Sequence, residues 1–169
     1  MKKIFNIFGF QLCWWACVLG VKYENPYIGP ALMSIFIFIH FRYCVIEKKE
    51  YSFIIVSTLL GTLVDSIFLN TTLIEYNGLT FNFIAPFWII AMWAGFSATV
   101  NHSLDWLKNN YLFCFLLGAI SGPLSYVAGL KFNAISFDLS ITVVSILAIS
   151  WGIIVPGIFF INNIFNEKK

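Results

Sequence analysis

Six long apolar runs, separated only by short polar segments, constrain the fold of this chain more than any other feature. The runs cover about 4–22, 27–46, 52–72, 83–103, 111–131 and 140–162. Since a transmembrane helix needs about 20 mostly apolar residues, each run is long enough to cross a bilayer. The runs also lack the two-residue alternation of barrel strands. The sequence therefore predicts an all-α, polytopic integral membrane protein with six transmembrane helices.

The composition supports lipid as the solvent for most of the chain. Of 169 residues, 60% are hydrophobic and 11% are charged, whereas soluble domains carry about 25% charged residues. A soluble core of this size could not bury so much apolar surface. The length predicts a single transmembrane domain over 1–169. A net charge of +2 without a basic stripe argues against nucleic-acid binding.

The distribution of basic residues predicts the orientation, because Lys and Arg concentrate in cytoplasmic loops. With the N-terminus inside, only Lys22 and Lys131 fall on the outer side. The inner side then holds Lys2, Lys3, Arg42, Lys48, Lys49, Lys108, Lys168 and Lys169. This bias predicts that both termini are cytoplasmic.

One carboxylate, Asp65, interrupts the third apolar run. A charge near the bilayer centre costs at least ~2.5–3.5 kcal/mol, so such a residue usually faces the protein interior. Asp65 shares a helix face with Ser57 and Gly61. The helical rise places it ~20 Å from the inner edge, and Ser125 and Tyr126 of the fifth run ~21–22 Å from the same edge. We therefore expect spans three and five to pack together, with Ser125 or Tyr126 bonded to Asp65.

Three interpretations of Asp65 follow from this placement. A hydrogen bond that sets the helix register is one, and a water-filled outer vestibule is another. The third is a ligand or proton site, because ionisable residues inside a membrane are candidates for function.

The fifth run carries the strongest indication of a pocket. Small residues at Gly118, Gly122, Ser125 and Gly129 let helices approach closely. The glycine pair at 118 and 122 suits a dimer as readily as an internal contact. Pro123 removes a backbone hydrogen bond and predicts a kink. A kinked helix beside a buried Asp predicts an intramembrane pocket.

A second polar layer is expected nearer the cytoplasm. Gln11 lies ~10 Å from the inner edge of the first span, with Trp14 and Trp15 as an aromatic wall. Asn101 and His102 fall at the inner end of the fourth span. His102 suits an interfacial helix end, an anionic headgroup contact or an acid–base role, because imidazole titrates near neutrality.

Two pairs of potential metal ligands occur at helical spacing, Cys13 with Cys17 and His40 with Cys44. The first pair lies ~14–20 Å from the inner edge and the second ~3–9 Å, too far apart in depth for one site. No metal site is predicted, and no cofactor is indicated.

Several segments resemble an uncharacterised family of small bacterial inner-membrane proteins, a domain of unknown function. They are FQLCWWACVLG at 10–20, GTLVDS at 61–66, APFWIIAMWAGFSATVNHSLDWL at 85–107 and GPLSYVAG at 122–129. In that family, the genes often neighbour enzymes similar to cyclopropane-fatty-acid synthases and flavin oxidoreductases. The resemblance implies a multi-pass protein of the bacterial inner membrane with a link to fatty-acid or lipid modification. It supplies no reaction and no site residues.

Three functional hypotheses follow. The favoured one is a protein that binds or moves a small hydrophobic or lipid-like ligand, with the ligand site formed by Gln11, Trp15, Asp65, Asn101, His102, Ser125 and Tyr126. The second is a membrane-embedded lipid-modifying enzyme that uses Asp65, His102 and Tyr126 as acid–base groups. The third is a scaffold that holds peripheral lipid enzymes, for which the cytoplasmic loops would matter most. Membrane lipid is the partner common to all three.

Overall fold

The computed structural model describes residues 2–45, 47–78 and 81–167, and six α-helices account for most of that part of the chain. They are α1 (Lys2–Lys22), α2 (Ile28–Tyr43), α3 (Lys49–Asn70), α4 (Phe87–Ser97), α5 (Tyr111–Lys131) and α6 (Ile141–Glu167). The all-α prediction is confirmed. Helices α1, α3, α5 and α6 are long and apolar enough to cross a membrane, and α2 and α4 are shorter apolar helices.

Two short strands connect the loops that follow α3 and α5. Strand β1 (Glu75–Tyr76) pairs antiparallel with β2 (Ile135–Ser136), with Tyr76 opposite Ile135. The side chains of both of these residues are buried. The pairing fixes the position of Tyr76, which would otherwise lie in an unconstrained loop.

Consecutive helices run in opposite directions. His40 near the end of α2 and His102 beyond α4 both bond to Glu50 at the start of α3. At the opposite end of the molecule, Trp88 at the start of α4 donates to the carbonyl of Asn77. Each pair of consecutive helices therefore returns the chain to the end of the molecule at which it started. We term the end that carries Glu50 the Glu50 end, and the opposite end, which carries β1 and β2, the strand end.

The first and last helices follow the same alternation. Asn6 near the start of α1 lies beside His40, and Asn163 near the end of α6 donates to Tyr111 at the start of α5. The start of α1 and the end of α6 therefore both lie at the Glu50 end. All six helices extend from one end of the molecule towards the other.

The fourth helix is shorter than predicted. The sequence predicts one span over 83–103, but α4 covers only Phe87–Ser97 and turns follow to a 3₁₀ segment at Asp105–Leu107. The hydroxyls of Ser97 and Thr99 donate to nearby backbone carbonyls. Such local bonds compete with the helical ladder, so the polar residues after 96 favour turns over helix.

Helix α5 packs along α6 rather than α3, so the predicted close packing of spans three and five is wrong. A Cβ atom at Gly118 or Gly122 would overlap Trp151 of α6. The glycine stripe is therefore used for an internal contact. The helix continues through Pro123, so the proline does not end it although it cannot donate the hydrogen bond of its position.

The outer faces of the helices are apolar. Large hydrophobic side chains are exposed on every long helix, among them Phe8, Leu12, Leu59, Leu112, Leu124 and Ile153. Soluble monomers rarely expose so many large apolar side chains on every long helix. Together with the four long apolar helices, this surface is typical of a membrane protein.

Candidate functional site

Asp65 lies at the centre of a buried hydrogen-bond cluster. Its side chain is 1% exposed. Tyr126 of α5 and Tyr76 of β1 both donate to Oδ1, each at 2.5 Å. The sequence-based expectation that Asp65 faces inward and meets Tyr126 agrees with this geometry. Ser125 does not take part, because its hydroxyl donates to the carbonyl of Gly122.

The other carboxylate oxygen of Asp65 accepts from an indole. Trp93 of α4 donates from Nε1 to Oδ2 at 2.5 Å. The indole reaches this oxygen because it lies directly over Gly61, one turn before Asp65, where any Cβ atom would overlap the ring. Trp93 also stacks on Trp151 of α6, with centroids 4.9 Å apart and an interplanar angle of 9°. The glycine therefore permits the contact between α4 and the acid.

Tyr76 is held in its neutral form. Burial, and then the neighbouring Asp65 carboxylate, raise the pKa of the Tyr76 phenol well above its usual value. The hydroxyl thus keeps its proton and serves as a donor to Asp65. The partners of Asp65 in the described part of the chain are two phenols and an indole, all of them neutral donors.

A cavity of about 620 Å³ extends from this cluster. Its lining on α1 runs from Ile7 to Val18, a length of ~17 Å at the rise of an α-helix. On α5 it runs from Ser121 to Gly129. Ligand pockets in proteins commonly enclose about 300–1,000 Å³. The volume thus suits a small organic molecule.

The predicted site residues divide into two groups. Gln11, Asp65, Ser125 and Tyr126 line the cavity. Trp15, Asn101 and His102 do not. Trp15 packs edge-on against Phe132 and its neighbour Trp14, and of this predicted aromatic pair only Trp14 lines the cavity.

His102 belongs to a second cluster at the Glu50 end. Oε1 of Glu50 lies 2.8 Å from Nε2 of His102 and 3.3 Å from Nε2 of His40. The two imidazole rings meet edge to face with centroids 4.7 Å apart. Asn101, the neighbour of His102, accepts instead from Asn162 of α6 at 2.9 Å. The cluster joins α2, α3 and the turns after α4.

The ligand types in this cluster could hold a metal ion, since one atom from each of His40, Glu50 and His102 lies within 4.8 Å of the others. The orientation of Asn6 argues for a hydrogen-bond network instead. Asn6 Oδ1 accepts from the backbone N–H and hydroxyl of Ser103, and its Nδ2 donates to the carbonyl of Ala98.

This orientation of Asn6 has a consequence for His40. The amide nitrogen of Asn6 faces His40 Nδ1 at 3.4 Å, so Nδ1 is the acceptor and Nε2 carries the proton that bonds Glu50. A metal on Nε2 would require the proton on Nδ1, which then faces another donor. The surroundings of His40 thus favour hydrogen bonding over metal binding.

The acid–base groups of the enzyme hypothesis are not assembled into one site. Asp65 and Tyr126 are bonded to each other, whereas His102 bonds Glu50. Glu50 and Asp65 lie 15 residues apart on α3, or ~22 Å along the helix. His102 is therefore not placed to exchange a proton directly with Asp65.

Sequence reasoning missed Tyr76, Trp93, Asn6 and Glu50 as partners of the two clusters. Gly61, one turn before Asp65, signalled a close neighbour but not which one. Glu50 sits in the polar segment EKKEY, where it resembles an ordinary loop charge. No local pattern marks Tyr76, because its position depends on the pairing of β1 with β2.

The sequence of residues 3–157 matches the profile of a protein family described as "Protein of unknown function (DUF2878)". No curated protein and no solved structure matches the chain.

Proposed function

The chain belongs to the DUF2878 family of unknown function. We propose that it binds a small, amphipathic or lipid-like molecule in the cavity beside Asp65. The observation that carries the proposal is the cavity itself, which combines apolar and aromatic walls with one buried acid. Ligand sites are typically apolar with a few convergent polar groups.

The cavity is accessible from the side of the molecule. Gln11 of α1 and Ser121 of α5 both line it and are both exposed. Helix α1 packs mainly against α2 and α4, and α5 against α6, so the space between α1 and α5 is the entrance. In a bilayer this entrance faces the acyl chains, and an amphipathic ligand would enter from the lipid phase.

The membrane arrangement we propose has six spans with both termini in the cytoplasm of a bacterial cell, at the inner membrane. The alternating helix directions support six passes, and the basic residues of the Glu50 end support its cytoplasmic position. Helix α4 has 11 residues, or ~16 Å, so its pass includes the turns that follow. A role next to fatty-acid or lipid modification is part of this proposal.

A brominated ligand can test occupancy of the cavity, because five of the six tryptophans line it. A dodecanol with a terminal bromine would be added to the protein in phosphatidylcholine nanodiscs, and tryptophan fluorescence would be recorded. We expect saturable quenching beyond that caused by brominated lipid. Quenching that rises linearly without saturation would contradict the proposal.

A matched pair of substitutions localises the effect. Ser121→Phe adds a ring at the cavity, whereas Ile120→Phe adds the same ring at an adjacent, exposed position outside the lining. The first variant should weaken saturable quenching and the second should not. Equal behaviour of the two variants would place the alcohol elsewhere on the protein.

A further inference from the structure

We propose that the ligand of the Asp65 cavity is an amphipathic cation, an ammonium group carried on an apolar tail. The inference rests on the proposed function and specifies the chemical class of its ligand. It is drawn from three features of the cavity: the hydroxyl protons, the charge and the aromatic rings.

The hydroxyl groups of the cavity have no proton to offer a ligand. Six hydroxyls line it, and each donates to an acceptor within the protein. They belong to Tyr76, Thr99, Ser103, Ser121, Ser125 and Tyr126. Each hydroxyl oxygen keeps lone pairs that can accept. The hydroxyls therefore favour a ligand that donates hydrogen bonds, and the buried indole N–H of Trp151, which has no partner among the described residues, can bind an acceptor on the same ligand.

The cavity carries a negative charge, which favours a cation as its ligand. Asp65 is bonded by two phenols and one indole, and the described residues of the lining include no Lys, Arg or His. Among the described residues, Trp93 alone donates to Oδ2, although each carboxylate oxygen can accept about two bonds. A carboxylate at membrane depth usually faces a counter-ion or substrate.

Aromatic rings complete the site. Phe10, Trp14 and Phe96 line the cavity together with the stacked pair of Trp93 and Trp151. The faces of indole and phenyl rings attract cations, most strongly where water is excluded. An anion would be repelled by the carboxylate and by the negative ring faces, and the buried Trp151 N–H, which has no partner in the described part of the protein, would offset only part of that repulsion.

Three brominated compounds with the same dodecyl chain separate the alternatives: the amine, the alcohol and the carboxylate. Each would be titrated by tryptophan quenching in phosphatidylcholine nanodiscs, with partitioning into protein-free nanodiscs subtracted. We expect the amine to bind about tenfold or more tighter than the alcohol, and the carboxylate to bind most weakly.

The possible outcomes distinguish this inference from the proposed function. If the three compounds bind equally well, the cavity is a ligand site but the preference for a cation is wrong. If the carboxylate binds best, the inference is overturned. If none of them binds saturably, both the inference and the proposed function fail.

Asp65→Asn tests the source of the preference in the same assay. The variant keeps the shape of the side chain, and the amine should lose its advantage over the alcohol. Asp105→Asn is the matched control, because Asp105 is a partly exposed acid paired with Lys108 and outside the cavity. A retained amine preference in Asp65→Asn, with the unfolding midpoint unchanged, would overturn the inference.

The ammonium group could belong to a soluble amphipathic amine or to a phosphatidylethanolamine headgroup. Titration of the brominated amine in nanodiscs that contain phosphatidylethanolamine separates these sources. A weaker apparent affinity than in phosphatidylcholine alone identifies the lipid as a competing ligand. An unchanged affinity excludes the headgroup as a competing ligand and leaves the soluble amine.

Discussion

Helix α3 carries two buried acids whose surroundings differ. Glu50 bonds two imidazoles, and one of them, His102, forms a salt bridge with Glu50 when it is protonated. Asp65 bonds two phenols and an indole, which stabilise a carboxylate but supply no opposite charge. The first arrangement is closed on itself and lies outside the cavity lining, whereas the second borders the cavity. The two acids thus differ in whether a protein group that can carry a positive charge lies against them.

The largest expected effect on stability concerns the cluster of Glu50, His40 and His102. Glu50→Gln removes the charge but keeps the shape, and we expect a loss of about 3 kcal/mol in the free energy of unfolding, because breaking a buried ion pair leaves its partner uncompensated. Equilibrium unfolding in mixed detergent micelles would measure the loss.

Asp105→Asn is the control for Glu50→Gln, since partly exposed pairs such as Asp105 with Lys108 contribute only about 0–1 kcal/mol. Wild-type stability in Glu50→Gln would mean that the cluster is a neutral hydrogen-bond network, and the contrast between the two acids would disappear.

An intermediate effect is expected from Gly61→Ala. The added methyl group overlaps the indole of Trp93, and overpacking of this kind costs about 2 kcal/mol. The displaced indole should also leave its place in the aromatic wall of the cavity, so the variant should bind the brominated amine more weakly. Unfolding and quenching titrations on the same sample would measure the two effects together.

Gly157→Ala in α6 provides the comparison for Gly61→Ala, because a Cβ atom at Gly157 has nothing within 4 Å. It should retain stability and amine binding. A similar loss in both variants would point to a general effect of substituting helical glycines and not to contact with Trp93.

The smallest effect is expected from Tyr126→Phe. The variant removes one of the two hydroxyls that donate to Oδ1 of Asp65, and a hydrogen bond to a charged group contributes about 1.5 kcal/mol. Thermal unfolding in detergent, followed by intrinsic fluorescence, would detect a loss of this size.

Tyr51→Phe serves as the reference for Tyr126→Phe. The Tyr51 hydroxyl makes only an exposed bond of 3.4 Å to the carbonyl of Phe41, and its removal should change the free energy of unfolding by less than about 0.5 kcal/mol. If Tyr126→Phe were as stable as Tyr51→Phe, the phenol would contribute nothing to holding Asp65.

Much of the Asp65 site follows from residues within single helices. The rise per residue gives the depth of Asp65 and of Tyr126, and the two depths match. The face shared by Ser57, Gly61 and Asp65 indicates that the acid points inward. Neither the depth nor the shared helix face indicates which helix lies opposite. The expected packing of α3 on α5 was wrong because α6 lies against the glycines of α5.

The sequence by itself determined the all-α class and the apolar helices, and it predicted either Ser125 or Tyr126 as a partner of Asp65. These depend on hydrophobicity and helical geometry, which are properties of each segment alone. The tertiary structure alone decided that Tyr76 and Trp93 complete the Asp65 site and that Glu50 binds two histidines. Those contacts join segments distant in the chain, and their geometry depends on how the helices are rotated and packed against one another.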